Sequence, residues 1–202
     1  MRRWSPGTES ESCFSYRDVG HLPGAQAHGP SARRKYTAHY AVRMQTGPRR
    51  NPLVYLVFSA HPGPSFAVAL LCVVLGITAG LSAWRVAVVG IAILLGQFSV
   101  GLSNDWLDAD RDRRAGRRDK PVALGRISVP AVRAASFACA VLGLAATIAL
   151  GWTAVIAHAV FIASGWAYNL WLKRTVLSVL PYAIGFGALP AVVTLAQASP
   201  VL

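Results

Sequence analysis

The chain reads as an all-α protein, a polytopic bundle of membrane-spanning helices. Three observations predict this. Of its 202 residues, 54% are apolar and only 14% charged, whereas a soluble domain carries about 25% charge. Mean hydropathy is positive, at +0.44. Five segments stay apolar over roughly the 20 residues that a helix needs to cross a bilayer. They are Ser65–Trp84, Val86–Ser103, Val129–Leu150, Trp152–Leu172 and Thr175–Ala198.

Taken in order, residues 1–50 are rich in Ser, Gly and Arg and read as a disordered basic tail. No apolar core follows Arg2-Arg3, so they do not read as a signal peptide, and Met44 is an alternative start. Residues 51–202 form the expected transmembrane bundle. The run Pro52–Ala60 is too short to span and reads as an interfacial lead-in, with His61-Pro62-Gly63-Pro64 breaking the chain before the first span. The fifth span carries Pro181 and Pro190 and is expected to kink or break; neighbouring helices can satisfy the freed carbonyls. Glycines such as Gly96, Gly101 and Gly143 let the spans approach closely as one bundle. Three cysteines (Cys13, Cys72, Cys139) make no disulfide framework, and those in spans read as small core residues.

A net charge of +12 raises the question of nucleic acid, and the distribution of charge answers it. Nine Lys/Arg lie in residues 1–63 and seven in 104–127 (Arg111, Arg113, Arg114, Arg117, Arg118, Lys120, Arg126). The rest are Arg85, Arg133, Lys173 and Arg174. The chain is expected as a multi-pass protein of the cell (plasma) membrane, and the positive-inside rule predicts its orientation. The N-terminus, the 104–127 segment and Lys173-Arg174 are cytoplasmic, and the Gly151 turn lies outside. The basic residues therefore flank membrane lipids, and no nucleic-acid partner is expected.

The acid is more informative. Only eight residues are Asp or Glu, and four of them fall within Asn104–Asp112, where the second span ends. Asn104, Asp105, Asp108 and Asp112 lie within an arc of roughly 100° on a helix, while Asp110 points to the far side. A row of oxygen ligands suits a hard cation such as Mg²⁺. Two readings fit the residues: a cation site, or a helix end wetted by acids and interleaved with arginines. Seven residues earlier, Gln97 shares this face; it either lines a cavity above the row or bonds a neighbouring helix. His158 reads as a packed histidine and Arg133 as one that snorkels.

The pattern Asn-Asp-x-x-Asp-x-x-x-Asp follows a transmembrane helix and precedes Arg117-Arg118-Asp119-Lys120-Pro121. With Tyr168-Asn169-Leu170-Trp171-Leu172-Lys173-Arg174 ending the fourth span, it resembles the UbiA superfamily of intramembrane prenyltransferases. That resemblance implies a nine-helix fold around a central cavity. It also implies transfer of a prenyl group from an isoprenoid diphosphate to a lipophilic acceptor, aromatic or otherwise, with Mg²⁺ as cofactor. By the same resemblance Asn104, Asp105, Asp108 and Asp112 hold metal. Lys120, Lys173, Arg174 and Arg117 neutralise diphosphate oxygens, and Tyr168 and Gln97 are candidates to border the cavity. The family pairs this motif with a second acidic one, and no acidic residue follows Asp119 here. The expectation is a fragment or truncated form holding about five of the nine helices, and inactive or very weak alone. Alternatives are a non-enzymatic cation-binding or transporter fragment and an inactive remnant.

Overall fold

A computed structural model gives the structure of residues 51–197. The basic tail expected over residues 1–50 and the last five residues lie outside the described residues. Six α-helices run in order: α1 (Pro52–Ser59), α2 (Pro62–Thr78), α3 (Ala83–Arg114), α4 (Val129–Ile148), α5 (Trp152–Leu170) and α6 (Val179–Leu195), with a 3₁₀ turn at Leu172–Arg174 before α6. No strand occurs among the described residues.

The break before the first span forms as expected. Asn51 caps α1 by accepting from the Leu53 amide, and Pro52 occupies the first turn, where its missing N–H costs nothing. His61 then takes a left-handed backbone (φ 53°), and α2 leaves at 63° to α1. The first span is shorter than expected. It ends at Thr78, because Gly80 turns the chain with φ 75°, and Trp84 belongs to the first turn of α3.

Helix α3 is the axis of the bundle. Its 32 residues rise about 48 Å, well beyond the roughly 30 Å of bilayer hydrocarbon. The second span and the acidic row are therefore one continuous rod. Helices α2, α4 and α5 pack directly on it, and α6 covers α5 and α2. Close approach is set by glycine: a Cβ on Gly143 of α4 would lie 3.1 Å from the Ala92 carbonyl of α3. The main core joins Cys72, Ile93, Phe161, Leu189 and Val192, and a second gathers Tyr55, Leu102, Val122 and Ile127 around the acidic end of α3.

Polarity is inverted relative to a soluble protein. Phe66, Leu70 and Ile77 on α2, Val141 and Leu142 on α4, and Ile156 on α5 face outward, as lipid contact requires. Helices α3, α4 and α5 are long and apolar enough to cross a membrane, and the bent α1–α2 pair makes a fourth span if counted as one. Helix α6, expected as a full fifth span, has 17 residues. It runs through Pro190 as one helix rather than breaking there, and Thr194 Oγ1 donates to the Pro190 carbonyl (2.9 Å). The apolar helices make this an integral membrane protein.

Candidate functional site at the end of α3

The last three turns of α3 place Asp105, Asp108 and Asp112 inward, each with 3% exposure or less, and Asp110 outward. This is the arrangement that helical phase requires. The exposed Asp110 pairs with Arg113 at 2.7 Å. Burying three carboxylates side by side demands compensation, and three separate elements supply it.

The first is the 115–128 segment. Gly116 (φ 67°) turns the chain back after α3, and Val122 and Ile127 bury against the second core. The turn lays Lys120 across the row, with Nζ donating to Asp105 Oδ1 at 2.8 Å and lying 3.3 Å from Asp112 Oδ2. Burial opposes the lysine's charge, but the two carboxylates outweigh it, so its pKa is held above the ordinary lysine value. The second is the 3₁₀ turn after α5. Lys173 Nζ donates to Asp108 Oδ2 at 2.7 Å and to Asn104 Oδ1 at 3.2 Å. Its position depends on Asn169, whose amide donates to the Val100 carbonyl and Ser103 Oγ and so fixes the end of α5 against α3. The third is the α1–α2 elbow, where His61 Nε2 donates to Asp105 Oδ1 at 3.2 Å.

Arg111 completes the set, with Nη2 on Asp108 Oδ2 at 2.7 Å and Nε 3.8 Å from Asp112 Oδ1. Three carboxylates thus meet three permanent cations: Lys120, Lys173 and Arg111. His61 and Arg111 are absent from the set that sequence reasoning identified. The three-residue step from Asp108 to Arg111 was a usable signal. Nothing in the sequence links His61 to a carboxylate 44 residues away.

The remaining expected residues sit apart from this cluster. Arg117 is exposed and bound bidentately to Asp119 (2.9 and 2.6 Å), which pulls the Asp119 pKa below the usual carboxylate range. Arg174 is exposed. Gln97 is half-buried higher on α3, outside the ion pairs. Tyr168 is half-buried and packs edge-on to Tyr182 of α6, with ring centroids 4.8 Å apart.

Asn104, Asp105, Asp108 and Asp112 do not converge as a ready metal shell. Among the described residues, no group of three or more His, Cys, Asp or Glu side chains is arranged to hold a metal ion. The physical reason is that each carboxylate is drawn to a cationic side chain instead of to a common point. The donor set nevertheless fits a hard cation. All its donor atoms are oxygens, and Asp108 Oδ1 is buried without a hydrogen-bond partner. An orphaned carboxylate oxygen of this kind is costly unless something binds it.

A family model described as the UbiA prenyltransferase family matches residues 64–202. No curated protein and no solved structure matches the chain.

Proposed function

Because the chain belongs to the UbiA prenyltransferase family, we propose that the acidic face of α3 grips an isoprenoid diphosphate together with Mg²⁺, for transfer of its prenyl group to a lipophilic acceptor. Membership makes the chain a membrane prenyltransferase at the level of the family. One observation carries the finer reading. Three buried carboxylates share one helical face, lysines from two distant segments meet them, and one carboxylate oxygen has no partner.

Each residue has a role in this reading. Asn104, Asp105, Asp108 and Asp112 offer oxygens to Mg²⁺. When bound, Mg²⁺ neutralises the charge that grows on departing diphosphate. Lys120 and Lys173 turn from their carboxylates toward diphosphate oxygens, which gain negative charge as the allylic C–O bond breaks. Arg117 and Arg174, further out, meet the anion as it arrives. The apolar faces of α2, α3 and α5 take the lipid chain and keep water from the allylic carbon. Tyr168 and Gln97 border that volume. In the membrane, the proposed orientation puts the acidic end of α3 on the cytoplasmic side of the plasma membrane, because the arginines of residues 111–126 cluster there.

The test is retention of geranyl diphosphate by the purified chain with and without Mg²⁺. Retention that requires Mg²⁺ and is lost in Asp108→Ala is the expected result. Retention that ignores either change refutes the reading and leaves the row as a self-neutralised structural cluster.

A further inference from the structure

We propose that His61 is a positioning residue for the acidic face: the α1–α2 elbow holds its ring on Asp105 and thereby sets the affinity of the site for a diphosphate. This rests on the reading of that face as a diphosphate site.

Several independent contacts hold the elbow. His61 is the one non-glycine residue with positive φ among the described residues, and it stands at the 63° bend. The carbonyl of the preceding Ala60 presses against Gly101 of α3. A Cβ on Gly101 would lie 2.5 Å from that oxygen and 2.8 Å from its carbon, so only glycine admits the approach. Ser65 Oγ bonds the carbonyls of both Ala60 and His61 at 3.0 Å, locking the first turn of α2 onto the bend. A backbone conformation that side-chain-bearing residues rarely adopt is thus held from both sides. Its outcome is one contact: His61 Nε2 lies 3.2 Å from Asp105 Oδ1.

The pattern of partners says why that contact matters. Lys120 is divided between Asp105 and Asp112, while Arg111 and Lys173 serve Asp108, and Arg111 also approaches Asp112. When Lys120 and Lys173 turn toward a diphosphate, Asp108 and Asp112 still share Arg111. Among the described residues, Asp105 keeps only His61. The ring is 42% exposed while the carboxylate it holds is 1% exposed, so the imidazole stands at the rim as a brace between the elbow and the row. The elbow also belongs to α1, whose Leu53, Val57 and Phe58 face outward. The brace therefore runs from the lipid-facing lead-in helix to the first carboxylate of the site.

Retention of geranyl diphosphate in the presence of Mg²⁺, measured on the full chain in detergent micelles, tests this. His61→Ala is expected to weaken retention about tenfold, the scale of one hydrogen bond to a charged group. His61→Gln, whose amide N–H reaches a similar distance, restores most of it. Gly101→Ala, which displaces the Ala60 carbonyl, weakens retention similarly and adds little to His61→Ala, because both act through one contact. If Asp108→Ala abolishes retention while His61→Ala leaves it intact, the positioning role is overturned and the diphosphate site stands. Gln no better than Ala, or full additivity with Gly101→Ala, also overturns it. A parent chain that does not retain the probe overturns both.

Discussion

Replacing Lys120 with Met removes the side chain that spans Asp105 and Asp112 at 2.8 and 3.3 Å. At an effective dielectric of about 20, unit charges at those separations attract by about 6 and about 5 kcal/mol. Burying the ammonium cancels most of this gain. The loss is instead set by what remains: two carboxylates with almost no exposure, one left with His61 and the other with Arg111 at 3.8 Å. Breaking a buried pair by removing one partner costs about 3–5 kcal/mol. Because Asp105 keeps a donor, the lower end, about 3 kcal/mol, is expected. Thermal unfolding of the detergent-solubilised chain, followed by circular dichroism, should show a fall of more than about 5 °C. Adding Mg²⁺ at ten times its dissociation constant returns about 1.4 kcal/mol. The variant should gain more from a given Mg²⁺ concentration than the parent, since Lys120 no longer competes for the same oxygens. A loss below about 1 kcal/mol, or the same Mg²⁺ gain in both chains, would refute the reasoning.

Two further outcomes follow from the geometry. Alkaline titration should preserve the difference between parent and Lys120→Met from pH 6 to 9. The raised lysine pKa means that its stabilisation is complete below the ordinary value of about 10.4 and is lost only as pH climbs through the higher folded value; a difference that fades between pH 6 and 9 contradicts the ion pairing. Gly96→Ala should cost about 1–3 kcal/mol in the same melting assay. Its Cβ would meet His158 Nε2 at 2.5 Å, and that ring is held by a 2.7 Å bond to Thr147. Adding His158→Ala should relieve the loss, and a double variant as unstable as Gly96→Ala would place the clash elsewhere.

The helical part of the site was legible because periodicity is a local property. Asp105, Asp108 and Asp112 inward and Asp110 outward follow from 3.6 residues per turn and need no tertiary knowledge. The lysines were singled out by resemblance, and their placement depends on a turn at Gly116 and on the burial of Val122 and Ile127, which spacing does not encode. His61 was legible only as punctuation: the His-Pro-Gly-Pro break was plain, but its contact with Asp105 arises from Ala60 lying on Gly101. Span boundaries failed where a turn sits inside an apolar run. Hydropathy carries Ser65–Trp84 straight through Gly80, whereas backbone sterics end α2 before it. The short α6 was overextended for a similar reason, since apolar character continues at both ends beyond the residues that are helical.

The balance of charge at the end of α3 has a kinetic consequence. Three carboxylates and three cations within a few ångströms cancel at a distance, so an arriving anion feels little of the buried row until it is in contact. The outer arginines, Arg113, Arg114, Arg117, Arg118, Arg126 and Arg174, exceed Asp110 and Asp119 in number and set the far field. On the proposed reading, capture of a charged headgroup and its retention fall to different residues. Salt, which screens over about 10 Å at 0.1 M, should slow arrival and leave residence time nearly unchanged.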